Sequence, residues 1–293
     1  MLGRTLLQTD DSRPASLGLV TEPATAAVEF SHVSLAFDDH VVLRDLSFSV
    51  PKGAMRILLG ASGSGKSVIL KLVLGLLRPD TGTIEVNGRR VDNMGEHDLL
   101  EVRSGIGMVF QENALFDSLT VAENVGYGLT EEASMTAQQV RARVEEVVGF
   151  VGLGEYMDRL PSELSGGQRR RVAIARAMAP DPELLLFDDP ITGLDPMIAM
   201  TVDKEILKVR DLHHATALVV THQIRDAFYI ATHQAVQEGG RVRFVEADAV
   251  KAAQAEFMVL HDGRIHFHGT AAELLASQDS YLKNYLLNTL PPW

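Results

Sequence analysis

Gly60-Ala61-Ser62-Gly63-Ser64-Gly65-Lys66-Ser67 fits the pattern G-x-x-x-x-G-K-[ST] at every fixed position. An apolar run (Met55, Ile57, Leu58, Leu59) precedes it and suits a buried strand, and Val68 to Leu74 continue it in a helical pattern. Strand, glycine-rich turn and helix N-terminus in that order make a P-loop. Gly60, Gly63 and Gly65 let the backbone turn its N–H groups inward, so the loop and the helix behind it form a positive cradle for phosphates. The whole run Gly60, Ala61, Ser62, Gly63, Ser64, Gly65, Lys66, Ser67 and Val68 is therefore the expected nucleotide-binding segment. Lys66 would reach the β- and γ-phosphates, and Ser67 would offer its hydroxyl to Mg²⁺.

The composition narrows what surrounds this loop. The 293 residues suit one large or two modest domains, and 46% hydrophobic with 23% charged residues is ordinary for a chain able to bury a sizeable core. The richest apolar run is broken by Lys71 and ends at Arg78-Pro79-Asp80, short of the roughly 18 residues that a membrane span needs. The chain is not expected to cross a bilayer by itself. Cysteine is absent, which excludes disulfides and thiolate metal sites and is compatible with the cytosol. A formal charge of −12 argues against general binding to a phosphate backbone, so no nucleic-acid partner is expected.

Residues 1–27 are rich in Ser, Thr, Pro and Ala without periodicity and read as a flexible N-terminal tail. From Val28 to Phe37 and from Val41 to Val50 the pattern alternates, with Asp38-Asp39 and Pro51-Lys52-Gly53 as turns. Phe37 ends a strand ahead of the P-loop, where its ring would either join a core or stack on an adenine. Thr83 to Val91 reads as two short strands around an Asn87-Gly88 turn. Ile106 to Phe110 is a small buried strand ending at Gln111, a neutral amide able to touch Mg²⁺ or an attacking water and to withdraw without leaving a buried charge. Thr120 to Leu160 is helical in pattern, with a Thr136–Gln139 capping box and valines at 140, 144, 147, 148 and 151 on one face.

Leu164-Ser165-Gly166-Gly167-Gln168 then opens an Ala-rich helix, giving a second anion-binding N-terminus with the Ser165 hydroxyl beside it. The triplet Arg169-Arg170-Arg171 reads as a solvated or subunit-facing helix surface. Leu184 to Phe187 is a fully apolar strand that ends in Asp188 and Asp189. Behind a P-loop, Asp188 would hold the Mg²⁺ shell and Asp189 would polarise water. Gly193-Leu194-Asp195-Pro196 follows, then a helix, then a strand ending in Thr221-His222, where a histidine at the C-terminal edge of a doubly wound sheet meets ligand.

In this order, P-loop, Gln111, Leu-Ser-Gly-Gly-Gln, acidic pair, Gly-Leu-Asp loop and His222, the chain resembles ATP-binding cassette (ABC) ATPases from about Val28 to Leu287. The resemblance implies an α/β P-loop NTPase fold with a RecA-like core, an antiparallel β-subdomain and an inserted α-helical subdomain at about 112–170, within a nucleotide-binding domain at 28–270. It implies a homodimer in which ATP and Mg²⁺ lie between the P-loop of one copy and Ser165, Gly166, Gly167 and Gln168 of the other. Phe37 falls at the adenine-stacking position and Asp195, in the Gly-Leu-Asp loop, among the nucleotide-binding residues. Lys66, Gln111, Asp189 and His222 fall at the catalytic positions, and Ser67, Gln111 and Asp188 at the metal. Members usually carry Glu where this chain has Asp189.

A finer resemblance rests on Gly65 to Lys71, Ala114 to Val125 and Ala227 to Ala231, which look like the ATPases of Mce-type (Mla-like) lipid transporters. That implies membrane permease subunits, an Mce-type lipid-binding subunit and a cytoplasmic, peripheral position at the inner face of the membrane. Residues from about Gln234 to Glu256 form an insertion, with Gly239-Gly240 and Arg241 to Val245 suggesting a hairpin and Ala247 to Ala255 a short helix. His261, His266 and His268 cluster around an Asp262-Gly263 hairpin without an acidic or thiolate ligand to complete a metal site. His213 and His214 are expected to be exposed in a polar turn, and 271–293 reads as a C-terminal tail of two helical pieces.

Overall fold

The computed structural model describes residues 25–131 and 135–289. The expectation of a flexible tail falls mostly on residues 1–24, outside the described part. The described part opens with β1 (Ala26–Phe37), β2 (His40–Pro51) and β3 (Met55–Gly60), then α1 (Lys66–Val73), β4 (Thr81–Val86), β5 (Arg89–Arg90), α2 (Glu96–Ser104) and β6 (Ile106–Val109). The middle is helical: α3 (Val121–Glu131), α4 (Ala137–Phe150) and α5 (Gly166–Met178). Next come β7 (Leu184–Asp188), α6 (Pro196–Leu212), β8 (Thr216–Thr221), α7 (Ile224–Thr232), β9 (His233–Glu238) and β10 (Arg241–Glu246). The last elements are α8 (Ala249–Ala252), β11 (Ala255–His261), β12 (Arg264–Thr270), α9 (Ala271–Ala276) and α10 (Ser280–Thr289).

The central sheet has the order β12-β11-β3-β8-β7-β6. All its pairs are parallel except the hairpin of β11 with the edge strand β12. Both faces are covered, which is why its strands read as unbroken apolar runs. Ile57, Leu59, Leu185, Phe187, Ala217 and Val219 pack toward the helical side in one core. The alternate residues Leu58, Leu184, Leu186, Leu218, Val220 and Met258 join α1 and the antiparallel sheet β2-β1-β4-β5 in another. The Asn87-Gly88 turn between β4 and β5 holds both residues at positive φ (49° and 75°), the geometry a two-residue hairpin requires. No helix among the described residues is long and apolar enough to cross a membrane.

The 234–256 region folds as read: β9 and β10 pair antiparallel across Gly239-Gly240, and α8 follows. The helix is shorter than the sequence suggested, because Ala255 already begins β11. The hairpin is fastened to α6 by Asp211, whose buried carboxylate accepts from Ala235 N (2.7 Å) and lies between Arg210 (2.7 Å) and Lys251 (3.0 Å).

Three expectations need correction. The arginine triplet does not form a solvated surface: Arg170 is 2% exposed, and Arg169 and Arg171 donate to the carbonyls of Leu164 and Val151. A guanidinium has more donors than a helix can use, so a buried one is drawn to loop carbonyls. His213 is half-buried with its ring edge against Phe150 (4.7 Å, 81°), and burial lowers its pKa. The hairpin histidines do have acidic neighbours, but separate ones. His268 meets Glu256 (2.9 Å), His266 meets Asp279 (3.1 Å), and His261 meets Asp262 (3.5 Å) while stacking on Tyr281 (3.6 Å), so no two of these rings share a carboxylate.

Asp203 of α6 and Asp226 of α7 are 1% and 6% exposed. Burial first, then the charge of Asp226 and a hydrogen bond with it, push the Asp203 carboxyl up to about 9. An unfolded Asp titrates near ~3.9, so folding takes up a proton between those values and stability falls as pH rises through that window. Asn at this position supplies the neutral donor without the proton. Asp203→Asn is expected to raise the melting temperature at pH 8 by about 5 °C, with a smaller gain at pH 5. Equal gains at both values would show that the pair shares no proton.

Candidate functional site

The P-loop, the acidic pair and His222 meet because β3, β7 and β8 are adjacent parallel strands whose C-terminal ends point the same way. Gly65 caps α1 at φ 101°, and a Cβ there would lie 2.8 Å from Val42 Cγ1. Only glycine lets β2 press this close to the loop while the backbone stays left-handed. The amides of Lys66, Ser67 and Val68 precede the first intrahelical acceptor bond of α1, Ile69 N to Gly65 O, and so remain for a ligand. Ser64 Oγ, buried and without a partner among the described residues, lies in the same loop.

Lys66 is 5% exposed and donates Nζ to Gly60 O (3.0 Å) and Ala61 O (2.9 Å). Its ammonium has a third proton to give. Burial lowers its pKa, and the charges of Asp189 and Asp188 oppose that. Ser67 Oγ donates to Asp188 Oδ1 at 2.8 Å, bringing together two hard oxygen donors of the kind Mg²⁺ prefers. Burial raises the Asp188 carboxyl, with the Ser67 bond opposing and the Asp189 charge adding to the rise. Gln111, two residues beyond β6, is exposed, and its carbonyl is held by Arg170 (2.6 Å).

Asp189 is 8% exposed at φ 44°. Its N–H donates to Val220 O (2.8 Å), and its Oδ1 accepts from both the backbone N (3.1 Å) and the ring Nδ1 (2.9 Å) of His222. The carboxylate thus fixes the imidazole with Nε2 left for a ligand and keeps Oδ2 for itself.

Ser165 caps α5: its Oγ accepts from Gln168 N (3.3 Å), and Gln168 Oε1 accepts from Ser165 N (2.8 Å). Asp195 caps α6, accepting from Met197 N (3.0 Å) and Ile198 N (3.1 Å). The two caps are neighbours, because Gly167 lets α5 pack directly on Ile198. Among the described residues no hydrogen bond or ion pair joins Ser165–Gln168 or Asp195 to the Lys66, Asp188, Asp189 and His222 group. Phe37 stands 45% exposed at the end of β1.

Sequence reading expected helix near the C-terminus but gave it no place beside the P-loop. Tyr281 of α10 lines a cavity of about 790 Å³ beside Ala61–Ser64, and Tyr285 hydrogen-bonds the Gly60 backbone. Burial raises the Tyr285 phenol. The pair at four-residue spacing, stacked at 5.9 Å, is the one local signal that would have suggested a common face.

This arrangement has the P-loop NTPase fold of the doubly wound α/β class. The chain belongs to the ABC transporter family, whose model matches residues 43–192. It is 40% identical over 221 residues to the sulfate/thiosulfate import ATP-binding protein CysA of Mycobacterium tuberculosis, covering 75% of this chain and 61% of that protein. It is 36% identical over 205 residues to the probable ribonucleotide transport ATP-binding protein mkl of the same species, covering 70% and 57%. The chain therefore spans about 61% of the length of the CysA relatives. Its fold is similar to the ATP-binding cassette MJ0796 in a dimeric post-hydrolysis state bound to ADP and Pi, at 26% identity and a TM-score of 0.67 over 83% of this chain and 98% of that one.

Proposed function

We propose that this chain is the ATP-hydrolysing subunit of an ABC transporter and works as a homodimer closing on two ATP. The observation that carries the reading is the convergence of Lys66, the Ser67–Asp188 pair and the Asp189–His222 pair at one edge of the sheet. Lys66 and the α1 amides hold the β- and γ-phosphates. Ser67, Asp188 and Gln111 would hold Mg²⁺, which when bound supplies positive charge to the phosphate oxygens. Ser165 to Gln168 of the second copy, with Asp195 beside them, complete the cradle on closure. The Ser165 hydroxyl already accepts from Gln168 N and keeps its own proton to donate outward.

Asp189 takes the proton of the attacking water on Oδ2 as the water oxygen bonds to the γ-phosphorus and the bond from that phosphorus to the bridging oxygen breaks. His222 orients the phosphate through Nε2, and Phe37 stacks on adenine. The products no longer bridge the two copies, so the dimer opens and moves a membrane permease docked on the helical lobe, taken as 112–170 within a cassette at 28–270. This places the chain on the cytoplasmic face of a membrane without spanning it.

The transported substrate is proposed to be a phospholipid or other lipid, handled with an Mce-type subunit, on the strength of the segments 65–71, 114–125 and 227–231. The names of the relatives point to other cargo, sulfate or thiosulfate for CysA and ribonucleotide for mkl. A second reading, a slow ATP-gated clamp, is favoured by Asp189, one methylene shorter than the usual Glu. Measuring ATP binding beside steady-state turnover separates the two, and identifying lipid that co-purifies with the membrane subunits tests the cargo. Absence of magnesium-dependent ATP binding would remove the whole reading.

A further inference from the structure

Two arginines of α5 have no part in the chemistry above, yet both are spent on one loop. Arg170 donates Nη1 to Phe110 O (2.5 Å) and Nη2 to Gln111 O (2.6 Å). Arg176 donates to Ala114 O (2.6 Å) and Asn113 O (3.1 Å). Asn113 and Ala114 stand at φ 65° and 50°, a left-handed region that most L residues avoid. Asn113 tolerates this region and two turn bonds, Asn113 N to Phe110 O (3.0 Å) and Ala114 N to Glu112 O (2.8 Å), support it, but Ala114 does not adopt it by preference. Guanidinium groups reaching from the helix hold it there.

We propose that Arg170 is a positioning residue that makes the Gln111 loop move as one body with the helix carrying Ser165 to Gln168. This rests on the ATPase reading only in what the coupling is for. The physical argument is that Arg170 is 2% exposed and its Nε has no partner among the described residues, so losing the two loop carbonyls would leave the buried cation without a hydrogen-bond partner and with only the nearby charge of Asp189 to offset its burial. The loop and helix then shift together or not at all. By linkage, whatever displaces the loop from outside also displaces the α5 N-terminus, and the reverse holds equally.

The test is amide hydrogen exchange combined with kinetics on full-length chains. In nucleotide-free Arg170→Gln, exchange at 111–116 is expected to rise about tenfold while β3 and β7 keep their protection. In the same variant kcat for ATP is expected to fall about tenfold with KM for ATP within about twofold, since the phosphate cradle is untouched. Arg170→Lys, which keeps the charge and one donor direction, is expected to restore part of both. Unchanged exchange at 111–116, or a raised KM at unchanged kcat, overturns the proposal.

Should the glutamine variant not fold, the Asp189→Asn chain is compared with and without ATP and magnesium. Residues 111–116 and 165–176 must then gain protection together, and a gain in one without the other overturns the coupling. A chain that neither binds nor hydrolyses ATP defeats the ATPase reading, while the nucleotide-free exchange comparison still decides the role of Arg170.

Discussion

Asp189→Asn is expected to lower steady-state ATP turnover by about 10³-fold while leaving ATP affinity within about twofold. The asymmetry follows from how the side chain is used. Oδ1 is committed to His222, through N at 3.1 Å and Nδ1 at 2.9 Å, so the second oxygen is the one placed to receive a proton. Asn keeps Oδ1 as an acceptor and replaces Oδ2 by an amide that cannot act as a base. The backbone tolerates the change as well. At φ 44° an Asn sits comfortably in the left-handed region, whereas Ala or Glu would add strain.

Loss of turnover with the binding site intact should leave the ATP-closed dimer standing. Size-exclusion chromatography with ATP and magnesium is expected to show the variant as a dimer under conditions where the parent chain, by turning over, is expected to return to monomer. Unchanged turnover in the variant would move the base elsewhere and strengthen the clamp reading. In that case Asp189 would serve only to hold His222.

The placement of this group was legible because each member is punctuation at the end of a short apolar run. A strand buried on both faces has nowhere to put a carboxylate or histidine except its end, so Asp188, Asp189 and His222 announced the C-terminal edge of a parallel sheet. The hairpin of β9 and β10 was legible for a similar reason, since Gly239-Gly240 at φ 58° and 78° permits a two-residue hairpin and little else. What stayed hidden were contacts between segments far apart in sequence. Nothing local in Arg169-Arg170-Arg171 distinguishes a solvated cation from one that reaches the carbonyl of Phe110. Nor does a polar setting reveal that His213 will meet Phe150, that Asp203 will face Asp226, or that Tyr285 will return from the chain's far end to Gly60. Periodicity reports which face of an element is apolar, and these polar partners are chosen only after the faces have docked.

Gly167→Ala combines a packing conflict with the loss of function it should cause. Gly167 is inside α5, where its backbone is helical, so Ala costs nothing conformationally and even raises helix propensity. The conflict is across the helix interface: the new Cβ would lie 2.2 Å from Ile198 Cγ2. Ile198 is β-branched on α6, and its χ1 has little freedom to swing the methyl aside. Overpacking of this kind costs about 1–3 kcal/mol, so the melting temperature is expected to fall by about 5 °C. Relief comes most readily by splaying the N-terminal ends of α5 and α6, and those ends carry Ser165 and Asp195. Turnover is therefore expected to fall by about 10²-fold, with ATP-dependent dimerisation weakened rather than trapped. Gly166→Ala is the control for geometry, because its Cβ would meet only the flexible end of Leu194 at 3.2 Å and should cost less stability. Ile198→Ala removes the obstructing methyl. In a double-mutant cycle Gly167→Ala with Ile198→Ala is expected to be more stable than the sum of the single losses and to regain part of the dimerisation. Strict additivity would mean that the two helices are not in contact where the structure joins them, and that the glycine is needed for a ligand's approach alone.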